Sequence, residues 1–93
     1  TTEDQKPEQK EEKKRIQEMG GICMALKDDD GSDFGPCRVW NKEMTAPGLA
    51  MSRSIGDTYA HMLGVSCLPE TVSIRVREED KFIVMGSDGI FEF

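Results

Sequence analysis

Two carboxylates four residues apart, Asp88 and Glu92, are the residues whose type and spacing most directly suggest chemistry. They lie in the stretch Lys81–Phe93, KFIVMGSDGIFEF, just past the apolar run Phe82–Met85. An unbroken apolar run of this length reads as a strand buried on both faces, and Gly86 and Ser87 end it. If Ile90 opens a helical turn, the two acids share one side of it and offer hard oxygens to a divalent cation. The competing reading is purely structural: a strand followed by an acidic helix start, with Asp88 as the N-cap.

Other residues invite chemistry with less support. Asp28, Asp29, Asp30 and Asp33 suggest a calcium loop, but setting Gly31 at the glycine of an EF-hand puts Leu26 at position one and Cys37 at position twelve. That register fails at both ends, so an acidic turn between strands is the better account. Arg53 either pairs with Asp57, four residues on, or meets a phosphate through its planar fork of donors. His61 has no His or Cys partner at ligand spacing and reads as a structural or surface histidine. Cys23, Cys37 and Cys67 form an odd set without a C-x-x-C spacing, so neither a disulfide framework nor a zinc site is indicated. Reduced thiols suit a cytosolic or nuclear protein.

The elements that must position these groups follow from the local pattern. Glu8–Met19 reads as a short helix, acidic early and basic late, with Glu11 and Arg15 paired across one turn and Ile16 and Met19 as apolar anchors. Gly20 fits a left-handed stop. Ile22–Leu26 and Cys37–Trp40 read as strands of a long-looped hairpin, with Trp40 a packing residue. In Gly48–Asp57, Ser52 is placed to cap a helical turn that Gly56 ends, and Val65–Pro69 reads as a short extended segment. Thr71–Arg77 alternates with Val72, Ile74 and Val76 inward, and a turn at Glu78–Asp80 pairs it with the Phe82 strand. Helices with antiparallel pairing imply a layered α+β architecture.

Composition bounds the reading. Ninety-three residues make one domain at most, and a chain of this size buries only about 60 to 65% of its unfolded surface. Apolar residues are 37% and charged residues 32%, which weakens the case for an independent fold. A net charge of −6 argues against nucleic acid or an anionic membrane as partner. No segment has the length of a membrane span or the apolar core of a signal peptide. Starting at Thr1 and stopping at Phe93 as a helix begins, the chain is expected to be a domain truncated at both ends.

Taken together, the motifs resemble the type 2C metal-dependent serine/threonine protein phosphatases. Asp4-Gln5-Lys6-Pro7 is similar to that family's D-H-K-P, with glutamine for histidine, and Glu12, Arg15, Ile16, Gly20 and Gly21 fit E-x-x-R-I-x-x-x-G-G. Arg38-Val39-Trp40 and the block Pro47–Asp57, PGLAMSRSIGD, resemble its central motifs; Pro69-Glu70 and Ser87-Asp88-Gly89-Ile90-Phe91-Glu92 resemble later ones. The resemblance implies part of a four-layer α-β-β-α sandwich with antiparallel sheets, incomplete within residues 1–93. It implies Asp88 as a metal ligand and Glu92, where aspartate is usual, as a helper for a further ion. It also implies Mg²⁺ or Mn²⁺ as cofactor and a phosphoprotein as substrate. The family's D-G-H-G-G and D-N-x-T motifs are absent from this sequence. The rest of the phosphatase domain is then needed to complete the site, and this chain alone is expected to be inactive. A non-catalytic pseudophosphatase or interaction module that keeps the fold is the alternative.

Overall fold

In the computed structural model, residues 2–92 are described. Thr1 and Phe93, which bound the polar start and the Lys81–Phe93 stretch, lie outside them. The order is α1 (Lys10–Glu18), β1 (Ile22–Lys27), β2 (Asp33–Trp40), β3 (Pro47–Leu49), α2 (Thr58–His61) and α3 (Asp88–Phe91). The three strands form one antiparallel sheet in the order β1-β2-β3, so the α+β class expected from sequence is what the chain adopts.

Helix α1 ends where glycine permits it. Gly20 has φ +91°, its N–H donates to Gln17 O at 3.1 Å, and Gly21 N–H donates to Ile16 O at 2.9 Å. These two bonds satisfy carbonyls that the helix end would leave orphaned. Gly21 is also required for packing: a Cβ there would lie 2.4 Å from Leu63 O and 2.7 Å from Ile16 Cγ2. The helix therefore turns directly into β1 while the Leu63 backbone presses against the turn. Ile16, Val39, Ala60 and Val65 are buried together, with Cys23, Leu49 and Leu63 packed around them.

The β1–β2 hairpin forms as expected, with a shorter loop. Ile22 pairs with Trp40, Cys23 with Val39 and Ala25 with Cys37, and the register then shifts so that Leu26 faces Phe34. Gly35, at φ +79°, and Pro36 occupy that irregularity, where the amide proline lacks is not needed. The strand thus continues through residues that local propensity assigns to the loop. Trp40 packs as expected: its Nε1–H donates to Met24 O at 2.7 Å, and its ring lies against Gly48, where a Cβ would come within 3.0 Å of the indole.

Three expectations are corrected. Residues 50–56 form no helical turn; Ser52 is fully buried and Arg53 makes a parallel bridge with Ser66, the extended segment anticipated at Val65–Pro69. Thr71–Arg77 and Phe82–Met85 form no hairpin and belong to no strand. Their apolar side chains are open to solvent, from 61% for Val84 to 89% for Met85, so the Phe82 run is not buried on either face. Two strands alone are marginal in water, and none of the described residues offers these two a third strand or a covering helix. Third, Arg15 pairs with Glu12 at 2.8 Å, where Glu11 was expected. No helix is long and apolar enough to cross a membrane among the described residues.

Candidate functional site

Asp88 begins α3, with Ser87 in extended backbone before it as the N-cap, so the N-cap role considered for Asp88 falls one residue earlier. Ile90 N–H reaches Ser87 O at 2.9 Å and Glu92 N–H reaches Asp88 O at 2.8 Å, which puts Asp88 and Glu92 one turn apart, as their spacing predicts. Gly86 makes the reversal possible, since a Cβ there would meet the Ile90 side chain at 2.9 Å.

Both acids line a cavity of about 820 Å³, and the irregular amino-terminal segment supplies Glu3 and Asp4 to the same walls, beside Met85 and Phe91. Sequence reasoning placed Asp4 only inside a motif; its arrival at the Asp88 cavity depends on the chain folding back over more than eighty residues. Hard carboxylate oxygens are the donor type Mg²⁺ and Mn²⁺ take. In number they fall short: among the described residues no three acid, His or Cys side chains come close enough to share one ion. The wide cavity wall therefore carries carboxylates, with no three donor groups close enough to share one ion among the described residues.

The tightest polar cluster lies elsewhere. Glu12, only 3% exposed, accepts from Arg15 Nη1 at 2.8 Å and Nη2 at 3.2 Å, from Arg53 Nε at 2.8 Å and Nη2 at 3.0 Å, and from Ser52 Oγ at 2.8 Å. The Arg53 hydrogen bonds above all, then those of Arg15 and Ser52, hold the carboxyl well below the usual carboxylate range despite burial, which acts the other way. Arg53 also donates to Leu68 O at 2.9 Å, and Arg15 to Gly64 O at 2.8 Å and Ser52 O at 2.9 Å. Arg53 is thus committed to Glu12 rather than to Asp57 or a phosphate. The cluster ties α1 to residues 52–53 and 64–68, a joint between motifs some forty residues apart that no local periodicity signals.

The remaining candidates are structural. His61 Nε2 lies 3.0 Å from Ser54 O and so carries the proton in that contact. Asp28 Oδ1 accepts from the Asp30 and Ser32 amides at 2.9 Å each, closing the acidic turn, and Lys27 pairs with Asp33. The three cysteines are free; burial above all, with Cys37 nearby, pushes the Cys23 thiol up to about 11.

Comparison with known proteins agrees with the motifs. The chain is 42% identical over 91 residues to probable protein phosphatase 2C 12 of Oryza sativa subsp. japonica, covering 98% of this chain and 22% of that protein. It is 37% identical over 91 residues to probable protein phosphatase 2C 73 of Arabidopsis thaliana, with 98% of this chain and 23% of that protein covered. Probable protein phosphatase 2C 48 of rice is 36% identical over 91 residues, which is 98% of this chain and 25% of that protein. The chain spans about a quarter of the length of these curated relatives. No solved structure matches it. The protein phosphatase 2C family matches residues 1–93, end to end, and the chain belongs to that family.

Proposed function

We propose that this chain is the central-to-late part of a single phosphatase domain, and that the longer protein containing it hydrolyses phosphoserine and phosphothreonine in protein substrates with Mg²⁺ or Mn²⁺. The observation that carries this reading is the family match over the whole chain, with Asp88 and Glu92 brought to one cavity wall. Asp88 is the ligand in this account, and Glu92, with a reach one methylene longer than aspartate, assists a further ion. When bound, such ions supply a water of lowered pKa and neutralise phosphate oxygens. The chain's own part is to hold carboxylates at the cavity; with no complete donor set among its described residues, it is inactive alone.

The charge of −6 favours a cationic ion and a protein substrate over nucleic acid or membrane, and the free thiols suit the cytosol or nucleus. The test is phosphate release from a phosphothreonine peptide by the longer protein, with and without Mn²⁺, set beside its Asp88→Ala variant. Metal-dependent release that the variant abolishes, with an unchanged melting temperature, is the expected result. Full activity in the variant refutes the ligand assignment, and a folded, inactive unaltered protein favours the pseudophosphatase.

A further inference from the structure

Arg15, Arg38 and Arg53 are half-buried, and two of them meet a carboxylate inside the chain. Arg53 turns the edge formed by Nε and Nη2 towards Glu12, at 2.8 Å to one oxygen and 3.0 Å to the other, the grip in which a guanidinium matches both oxygens of a carboxylate. On Arg38 the same edge is unused. Its Nη1 donates to Gly48 O at 2.8 Å, its Nε is buried without an acceptor, and no carboxylate pairs with it among the described residues. A buried donor of a charged group left unpaired is costly, so Arg38 calls for an acceptor from outside these residues. The group is held from two sides: Arg38 stands opposite Met24 in the β1–β2 ladder, and Gly48 is fixed at φ +68° against the Trp40 ring. Arg38 and Gly48 line a cavity of about 470 Å³ bounded by β2, β3 and α2, a size that suits a side chain or small ligand. Leu49 and Ala60 give it an apolar wall, and Asp57 stands on the same lining.

We propose that this cavity receives one acidic side chain of the protein substrate, whose carboxylate takes the Nε and Nη2 edge of Arg38 while its methylene stem lies along Leu49 and Ala60. The inference rests on the phosphatase reading above for the identity of the partner. It goes beyond that reading because the cavity shares no lining residue with the one beside Asp88. A carboxylate fits better than a second phosphate group. Arg38 is the one cation on the lining and Asp57 the one anion, so the wall carries no net charge to compensate a dianion, and a dianion costs more to strip of water than a carboxylate does. A planar carboxylate also matches the free edge of the guanidinium, as Glu12 matches that of Arg53. The same reasoning selects a single acidic residue over a run of them.

The experiment is fluorescence anisotropy of dye-labelled threonine peptides binding to the longer protein, unphosphorylated so that no turnover is needed. Each carries one glutamate, moved along the peptide from one to the next, and is set beside its glutamine match. At one placement the glutamate peptide is expected to bind about tenfold more tightly than its match, the low end for a charge-assisted pair because Arg38 is half-buried. Arg38→Gln is expected to erase that preference while leaving the melting temperature and the hydrolysis of a small aryl phosphate unchanged. Asp57→Asn is expected to tighten the glutamate peptide by roughly twofold to fivefold, a gain that misfolding cannot produce. No preference for glutamate at any placement overturns the inference, as does a preference that survives Arg38→Gln. A melting temperature lowered by several degrees in Arg38→Gln, with no peptide preference in the unaltered protein, assigns the guanidinium to an acid of the longer protein itself and also overturns it. A glutamate preference that depends on Arg38 in a protein that hydrolyses no phosphoester supports the acidic docking site and overturns the phosphatase reading alone.

Discussion

Replacing Glu12 with alanine removes the acceptor of five hydrogen bonds and leaves two guanidinium groups facing a space the carboxylate filled. Breaking a buried ion pair from one side costs about 3–5 kcal/mol. The lower end applies here, since the Arg15 and Arg53 side chains keep 29% and 24% of their surface in water. Each also retains a backbone carbonyl partner, Gly64 for Arg15 and Leu68 for Arg53. A loss of about 3 kcal/mol in a domain of 150–250 residues lowers the melting temperature by roughly 6–12 °C. Glu12→Gln keeps the volume and one acceptor oxygen but forfeits charge assistance, and costs about 1–2 kcal/mol. Glu11→Ala, one position away and exposed, stays within about 0.5 kcal/mol. The pH dependence has a definite sign. A carboxyl whose pKa is lowered on folding stabilises fully above its unfolded value, about 4.3, and that contribution is lost as pH falls towards the folded value. The gap between the unaltered protein and Glu12→Gln is therefore flat at neutral pH and narrows in acid below the unfolded value. Thermal melts by circular dichroism on the longer protein read both effects. A Glu12→Ala melt no lower than that of Glu11→Ala refutes the argument.

Other consequences are as checkable. Gly21→Ala forces a methyl group to within 2.4 Å of Leu63 O, a backbone atom that cannot swing aside, and is expected to cost about 1–3 kcal/mol in a denaturant titration. Iodoacetamide at pH 8 is expected to alkylate exposed Cys67 well before Cys23, whose thiol is raised to about 11; mass spectrometry of early time points reads the order, and equal rates contradict the burial of Cys23. Amides 72–85 are expected to exchange without protection in the 93-residue chain and with protection in the longer protein, because their apolar side chains find no cover among the described residues.

What could be read from the sequence divides along the range of the forces involved. The stop of α1 was legible because only glycine adopts the left-handed backbone at residue 20 cheaply, and the β1–β2 hairpin because both strands and their turn are contiguous. The loop length was misjudged because Gly35 and Pro36 look like punctuation, while a bulge absorbs both inside a strand. The Glu12 cluster was not legible, since its partners stand 40 and 41 residues away and helix spacing pointed Arg15 at Glu11 instead. For Asp88 and Glu92 the one-turn spacing was visible; the arrival of Asp4 at the same cavity was not, because it depends on tertiary folding. The alternation of Val72, Ile74 and Val76 records a preference for a sheet, and a sheet needs partners that the described residues do not provide.

The most direct measurement is hydrolysis of a small aryl phosphate by the 93-residue chain and by the longer protein in parallel, each with and without Mn²⁺, with circular dichroism recorded on both. Turnover is expected only from the longer protein and only with metal, because no three donor side chains of this chain come close enough to share an ion among the described residues. Metal-dependent turnover by the folded 93-residue chain on its own would contradict it.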